Sequence, residues 1–441
     1  MIIKRDSNDI APVYKKDAGN DYPKILLITT EDIFKTQTSV SLTIKSFLSG
    51  WPEDRIIQII AEDFNGRETG QIDERTFVIG HNSLIIGRYF GKTRKSETHL
   101  HNPLKGKGKK VSLKSLIRQF ASALYKSLPY KIDDGLVHFI TIHNPDVIYT
   151  LLTPSRVNFL TFKLSTKFRI PILPHIFDDW QNVYLKNSIV EKPFAALFYS
   201  NLNRIIGESA FTLCISEMMC REYKRIFSKG TFKPLMHSVR DLSQSQPNFV
   251  GKERVLVYSG SMYLGRDKSL LYLCEAIENH NDDIKLDLYC PKEQWNEISL
   301  AFERFPFVRF KGLVPQEELF MRIGEAFAMA FVESLDAYFL PYTKLSMSTK
   351  IPEYLSSGKP IIAIGNSSQC SIDYLKSNNA AYVVTQADDI NHAYTDFLLE
   401  KNKKEIIANA RSLFLANHEK SSQKNKFKQI VNMVISNSKT D

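Results

Sequence analysis

Short apolar runs alternate with helical segments twice along this chain, and that alternation constrains its fold more than any other feature. KILLITT (24–30) and RIIQIIA (55–61) have the length and composition of buried strands, and the segment between them spaces its apolar residues like a helix. Parallel strands need such a crossover, which is right-handed in nearly every known sheet. The first run of elements therefore predicts a doubly wound parallel sheet.

The alternation stops near residue 236 and then restarts. After a stretch that gathers Ser and Gln, six further strands alternate with helices, and 441 residues are enough for two units that each bury a core. The predicted fold class is α/β, with two Rossmann-like domains facing each other across a cleft. The predicted divisions are a lead-in at 1–22, an N-terminal domain at 23–235 with a basic insertion at 66–111, a linker at 236–252, a C-terminal domain at 253–415, and a helical tail at 416–441 that packs back on the N-terminal domain.

Cysteine usage and the distribution of apolar residues indicate the compartment. The five cysteines are an odd number without C-x-x-C spacing, which argues against a disulfide framework or a zinc ribbon and favours a reducing compartment. The first residues contain no apolar signal region, and no run of about 18 apolar residues occurs. These patterns predict a cytoplasmic protein.

The segment PYTKLSMSTKIPEYLSSGKPIIAIG (341–365) is the most informative for chemistry. We predict a strand over AYFLPY (337–342), then a loop, then a helix that begins near Thr349 and stops at Gly358. Ser348 and Thr349 crowd the start of this helix, where free backbone N–H groups and the helix dipole favour an anion. The pattern indicates a phosphate site.

Two charged residues extend this site. Lys350 adds a cation at the same helix end, and Glu353 lies about one turn further, where a carboxylate can accept two hydrogen bonds from a ribose diol. An ordinary capped helix with a solvated Glu353 is the alternative interpretation.

PILPHIFDDWQ (171–181) places His175 and the pair Asp178 and Asp179 just past a predicted strand of the first domain. Ligands of open α/β sheets bind at the carboxyl ends of the strands, so this loop is expected to face the cleft. Two carboxylates also fit Mg²⁺ against a diphosphate, with contact to an acceptor hydroxyl or helix capping as the other interpretations.

The segment at 341–365 resembles the donor-binding motif S-K-x-x-E-Y-x-x-x-G-K-P of the retaining GT-B glycosyltransferases of family 4, and the order of elements agrees over most of the chain. One residue, Thr349, is inserted between the Ser and the Lys of that motif. The matching residues are Ser348, Lys350, Glu353, Tyr354, Gly358, Lys359 and Pro360.

The resemblance implies roles for individual residues. Glu353 would bind the nucleotide ribose, Lys268 and Arg266 would neutralise the diphosphate, and the loop near Val314 would receive the base. Ser261 stands where the family usually has an Arg, and His175 would lie near the transferred sugar as the candidate catalytic group. The resemblance further implies that no metal or other cofactor is required, because Arg266, Lys268 and the helix end would stabilise the leaving nucleoside diphosphate.

The sequence departs from the fuller family motif, which has a first glutamate eight residues before Glu353 that contacts the donor sugar. Leu345 occupies that position.

The implied activity is transfer of a sugar, with retention, from a UDP- or GDP-sugar to a glycan or lipid-linked acceptor in the synthesis of cell-surface glycoconjugates. A catalytically impaired GT-B scaffold remains an alternative, whereas an NAD-dependent enzyme is disfavoured because no G-x-G-x-x-G follows the first strand.

The positive charge of the chain is a local property. Residues 88–131 contain twelve Lys or Arg and one acid, a net charge of +11 in a chain whose total is +10. A nucleic-acid-binding protein is an alternative, but no nucleic-acid motif accompanies the block, and we expect no nucleic acid as partner. Since many such transferases act on membrane-bound acceptors, we expect 88–131 to dock on the anionic inner face of the cell membrane; a solvated loop is the other interpretation.

Overall fold

The computed structural model describes residues 22–61, 69–80, 113–152, 155–179, 192–243 and 253–438. Within these ranges the chain forms an eight-stranded and a six-stranded sheet, both built mainly from parallel strands and packed against helices. The predicted α/β architecture with two parallel sheets is confirmed.

The first sheet follows the chain order of its elements closely. Its strands have the order β3-β4-β2-β1-β5-β6-β7-β8, and every neighbouring pair is parallel except β3 with β4. The elements are β1 (Ile25–Thr29), α1 (Ser39–Leu48), β2 (Ile56–Ala61), β3 (Gly70–Asp73), β4 (Thr76–Ile79), α2 (Leu113–Ser127), α3 (Asp134–His143), β5 (Val147–Leu151), α4 (Ser155–Phe168), β6 (Ile172–Ile176), α5 (Lys192–Glu208), β7 (Thr212–Cys214), α6 (Glu217–Ile226) and β8 (Phe232–Pro234).

The second sheet is parallel throughout, in the order β11-β10-β9-β12-β13-β14. The elements are β9 (Arg254–Ser259), α7 (Arg266–Asn279), β10 (Ile284–Tyr289), α8 (Lys292–Ile298), β11 (Val308–Phe310), α9 (Gln316–Glu325), β12 (Ala328–Val332), α10 (Leu340–Thr343), α11 (Lys350–Ser356), β13 (Ile361–Ile364), α12 (Cys370–Ser377), β14 (Tyr382–Val384), α13 (Ile390–Leu398), α14 (Lys403–Asn417) and α15 (Lys420–Asn437).

Each sheet has one point at which the chain order of its strands reverses. The reversal lies between β1 and β5 in the first sheet and between β9 and β12 in the second. The loops that leave the carboxyl ends of such a strand pair run in opposite directions and leave a crevice, which is where open α/β sheets bind ligands. The topology therefore places the candidate site at the ends of β1, β5, β9 and β12.

Helix α15 returns from the second domain and packs on the first. Its Phe427 is 1% exposed and lies 5.9 Å from the ring of Phe47 on α1 and 5.5 Å from that of Tyr149 on β5. The chain thus crosses between the domains twice, and the two crossings touch where the Val239 N–H donates to the carbonyl of His418 at 3.0 Å.

The predicted strand over AYFLPY is wrong. Residues 337–342 form a 3-10 turn and the start of α10, and the strand is β12, with the sequence AMAFV. Pro341 has no N–H to donate to a neighbouring strand, which disfavours it within a sheet. At the start of a helix the missing N–H costs nothing, because the first N–H groups of a helix have no partner within the helix. The residues of β12 are all apolar and buried, so they gave no alternating pattern by which to recognise it.

The prediction of an irregular insertion at 66–111 also needs correction. Within that range β3 and β4 form a hairpin that extends the first sheet, with β4 fully buried against β2. Helix α3 was not predicted either. Residues 81–112, which carry much of the basic block, lie outside the described residues.

Candidate functional site

Two adjoining cavities lie between the domains, with volumes of about 440 Å³ and 240 Å³. Both are lined by residues of the first domain and of the second. Four residues line both cavities: Ser39, Ser259, Thr349 and Lys350. The ends of β9 and β12 and the start of α11 therefore meet the start of α1 at one site, as the strand-order reversals require.

Ser348 and its neighbours shape the start of α11. The helix begins at Lys350, next to the predicted Thr349, and Gly358 follows its end with a φ of 67°, which suits glycine. The Ser348 hydroxyl accepts the Lys350 N–H at 3.3 Å, and the Ser348 N–H donates to the Ser371 hydroxyl at 3.1 Å. These bonds fix the loop beside the larger cavity.

Lys350 and Glu353 form an ion pair on the wall of the smaller cavity. Lys350 Nζ lies 3.0 and 3.3 Å from the two carboxylate oxygens of Glu353, whose side chain is 4% exposed. Burial raises the pKa of Glu353, while Lys350 and a hydrogen bond from Gln316 act in the opposite direction. Val314, the predicted base contact, lines the same cavity.

Tyr354 ties α11 to the end of β9. Its hydroxyl accepts the Ser259 N–H at 2.8 Å and donates to the Ser259 hydroxyl at 3.3 Å, and the ring is almost fully buried. The residue after Glu353 thus anchors the motif to the second sheet.

Arg266 pairs with Glu333, a residue that the sequence analysis missed. The Arg266 Nε and Nη2 atoms lie 3.0 and 2.8 Å from one carboxylate oxygen of Glu333, and both residues line the larger cavity. Glu333 directly follows β12, so the misplaced strand concealed it. Before Arg266, Gly265 has a φ of 77°, and a Cβ there would lie 2.6 Å from the Ser334 hydroxyl, so only glycine fits.

The other predicted diphosphate residues are placed differently. Ser261 lines the larger cavity, but its hydroxyl donates to the Gln294 side chain at 3.1 Å. Lys268 lies exposed on α7 and lines neither of the two cavities in the described part of the chain. Of the predicted pair Arg266 and Lys268, it is Arg266 that can present its charge to a ligand in the larger cavity.

Of the acidic pair after β6, Asp178 lines the larger cavity. Its side chain is open to water in the cleft and yet surrounded by protein, so desolvation and then the neighbouring Asp179 raise its pKa. Asp179 is buried and accepts a hydrogen bond from the Tyr223 hydroxyl at 3.3 Å. The structure thus brings Asp178, and not Asp179, to the same cavity as Arg266.

His175 lies in the core of the first domain and lines neither cavity. It is 0% exposed, its Nδ1 is 2.8 Å from the Tyr149 hydroxyl, and its ring packs against Phe47 and Phe177. Burial lowers its pKa to about 3, with the backbone of Leu235 opposing. This placement corrects the expectation that His175 contacts the sugar, because a fully enclosed side chain cannot touch a substrate in the cleft.

The buried histidines predict acid sensitivity. Burial lowers the pKa of His175 and His237 to about 3 and of His418 to about 4, from about 6.5 in the unfolded chain. Between those values the unfolded chain binds protons that the folded chain excludes, so stability is full above pH 6.5 and falls as the pH drops towards 4. At pH 5 each of these histidines is expected to lower the free energy of unfolding by about 1–2 kcal/mol relative to its value above pH 6.5.

Urea unfolding followed by circular dichroism at pH 7.5 and pH 5 measures this loss. Leu399, which is 73% exposed, supplies the control: Leu399→Ser changes no titrating group, so it should leave the pH dependence unchanged. Equal stability at the two pH values contradicts the prediction.

Among the described residues, no group of three His, Cys, Asp or Glu side chains is arranged to hold a metal ion. None of the described helices combines the length and the apolar character that a membrane span requires.

No protein-family model and no curated protein matches the sequence. Solved structures do match the fold. Sucrose-phosphate synthase from Thermosynechococcus elongatus has 12% identity and a TM-score of 0.60, covering 93% of this chain and 99% of its own. HepE from Anabaena, in complex with UDP and glucose, has 12% identity and a TM-score of 0.55, covering 93% and 100%.

A third match is WaaG, a glycosyltransferase involved in lipopolysaccharide biosynthesis, with 11% identity, a TM-score of 0.53, and coverage of 92% and 99%. At these identities the likeness shows the fold. The chain has the GT-B fold, as the sequence motif implied.

Proposed function

We propose that this chain is a glycosyltransferase that binds a nucleotide-sugar mainly through its second domain and an acceptor through its first. The observation that supports this best is the convergence of Lys350, Glu353 and Arg266 on adjoining cavities at the reversal point of the second sheet. Cations beside a carboxylate match a ligand that carries a diphosphate and a ribose.

The donor is proposed to lie across both cavities. Glu353 accepts hydrogen bonds from the ribose, and the base lies against the apolar wall near Val314 in the smaller cavity. The diphosphate extends into the larger cavity, where Ser348, Lys350 and Arg266 provide hydrogen-bond donors and positive charge. As the diphosphate leaves, these groups stabilise the charge that develops on it, and the proposed reaction uses no metal.

The acceptor is proposed to enter from the first domain. Asp178 of that domain is proposed to contact an acceptor hydroxyl, because it lines the larger cavity together with Arg266 and Glu333. We propose a glycan or lipid-linked acceptor, transfer with retention, and a place in cell-surface glycoconjugate synthesis. The WaaG likeness supports the last point only through the shared fold.

Isothermal titration calorimetry with a panel of UDP- and GDP-sugars tests the proposal. We expect one nucleotide-sugar to bind and to be turned over slowly by water or by an added acceptor. Binding without any turnover favours the impaired scaffold, and no binding by any member of the panel rejects the proposal.

We also propose that α2 brings the protein to an anionic membrane. Ile117, Phe120 and Leu124 are 60%, 46% and 37% exposed and follow one another at helical spacing, so they form an apolar stripe that faces solvent. Phe120 also contacts Phe194 of α5, next to which Leu197 is 44% exposed. The stripe lies within the basic block 88–131, and such a combination suits an anionic lipid surface.

Co-sedimentation with liposomes checks this prediction. The protein should bind vesicles rich in phosphatidylglycerol about tenfold more tightly than neutral ones, and the double variant Ile117→Ser with Phe120→Ser should lose most of that binding. Leu300→Ser is the matched control, because Leu300 is 79% exposed but lies in the second domain. Equal binding to both vesicle types, or to neither, contradicts the proposal.

A further inference from the structure

His237 is the side chain of the interdomain crossing that reaches the smaller cavity. It is 5% exposed and lines this cavity together with Leu42 of α1 and with Val314 and Glu353 of the second domain. Residue 237 falls in the predicted linker at 236–252, for which the sequence predicts no role in binding. A nearly buried imidazole on a cavity wall is a candidate for ligand contact.

The hydrogen bonds around Thr43 fix the tautomer of His237. The Thr43 hydroxyl donates its single proton to the carbonyl of Ser39 at 2.7 Å, and the same oxygen lies 2.9 Å from His237 Nδ1. A hydroxyl has one proton to give, so in this second contact it can only accept. Nδ1 therefore carries the imidazole proton, and Nε2 presents a lone pair.

The imidazole is neutral at cellular pH. Burial, and after it the nearby His418 and Lys350, lower the pKa of His237 to about 3. His418 itself is buried, with Nδ1 2.8 Å from the carbonyl of His237, and Lys350 is engaged by Glu353. His237 Nε2 is thus a hydrogen-bond acceptor and not a cation.

Within the described residues Nε2 of His237 has no hydrogen-bond partner in the protein, and it is not among the polar atoms closed off from solvent, so the smaller cavity gives access to it. A ligand that brings a hydrogen-bond donor to this acceptor would take the place of cavity water as its partner. The carboxylate of Glu353 on the same cavity wall is also an acceptor. A phosphate ion has few protons to give to such a pair, whereas a nucleoside offers ribose hydroxyls and base N–H groups.

We infer that His237 is a specificity-determining residue that accepts, at Nε2, a hydrogen bond from the nucleoside part of the ligand. The inference rests on the proposed function, since it takes the smaller cavity as the nucleoside subsite. The donor is a ribose hydroxyl or a base N–H, and the experiment separates these two sources.

Calorimetry on the wild type first identifies which of UDP, GDP and ADP binds most tightly. That nucleotide is then compared with its 2′-deoxy, 3′-deoxy and base-N-methyl analogues on the wild type and on His237→Asn. Asparagine keeps a side-chain N–H that can reach Thr43 but removes the acceptor at the Nε2 position. We expect His237→Asn to bind the parent nucleotide about three- to tenfold more weakly.

The decisive result compares the two proteins on each analogue. The wild type and His237→Asn should bind with equal affinity the analogue that lacks the group donating to His237. The identity of that analogue shows whether the donor is a ribose hydroxyl or a base N–H. His237→Gln, which can carry an amide oxygen towards the Nε2 position, should retain part of the discrimination. Thr43→Val should weaken the discrimination between the parent nucleotide and that analogue, because the Nδ1–H of His237 then loses the acceptor that fixes its tautomer.

The inference is overturned if His237→Asn weakens the parent and all analogues by the same factor, or weakens none. The first result describes a residue that only supports the fold, and the second a residue without a role in binding. Failure of the wild type to bind any of the three nucleotides rejects the proposed function itself, and the inference with it. The two failures are therefore distinguishable.

Discussion

Glu353→Gln is expected to weaken binding of the preferred nucleoside diphosphate about ten- to a hundredfold. The carboxylate is almost fully buried on the wall of the smaller cavity, where two ribose hydroxyls can donate to it, and hydrogen bonds to a charged group contribute about 1.5–3 kcal/mol. Glutamine keeps the size of the side chain but replaces one acceptor oxygen with a donor. Calorimetric titration of both proteins with UDP or GDP measures the difference.

The control uses another glutamate of the same domain. Glu317 on α9 is 72% exposed and pairs with Arg240 outside the cavities, so Glu317→Gln should bind like the wild type. With the 2′,3′-dideoxy nucleotide, the wild type and Glu353→Gln should bind equally, because the hydroxyls are gone. If Glu353→Gln binds the nucleoside diphosphate as tightly as the wild type does, Glu353 does not bind the ribose.

Phe427→Ala is expected to lower the free energy of unfolding of the first domain by about 3–5 kcal/mol. The side chain belongs to α15 but fills a space between Phe47, Trp51 and Tyr149, with ring centroids 5.5–5.9 Å apart. Removing a buried ring costs the transfer free energy of its atoms and leaves a cavity. Urea unfolding followed by tryptophan fluorescence, to which Trp51 contributes, measures the loss.

Met433→Ala on the same helix is the matched control, because Met433 is 37% exposed. That change should shift the transition by less than about 1 kcal/mol. If the two variants unfold at the same urea concentration, α15 does not stabilise the first domain and the packing described above has no energetic weight.

Much of the fold could be predicted from the sequence because strand and helix periodicities are local. The runs 24–30 and 55–61 became β1 and β2, and the helix at 350–356 begins and ends close to where Thr349 and Gly358 predicted. Besides the hairpin β3–β4 and α3, one exception was β12. Its five small or apolar residues are buried on both faces and therefore lack the alternation by which a half-exposed strand is recognised.

The candidate site was predictable only where a motif carries it. Glu353 and Lys350 belong to a contiguous segment, so their spacing alone placed them on one helix. Glu333 and His237 lie outside that segment and reach the cavities through β12 and the interdomain crossing. His175 was misplaced for a related reason: the end of a strand was predicted, but which side of the sheet the side chain meets depends on packing by α1 and α15.

The return of α15 to the first domain makes that domain discontinuous in the sequence. Ile430, Val431 and Val434 are buried in a core whose members outside α15 all precede residue 236. During synthesis the first domain therefore leaves the ribosome with an exposed apolar surface. That surface stays exposed until the whole second domain has been synthesised and α15 can pack on it. A fragment cut at the linker would carry the same open surface, so the two domains are one unit for folding even though each sheet is complete by itself.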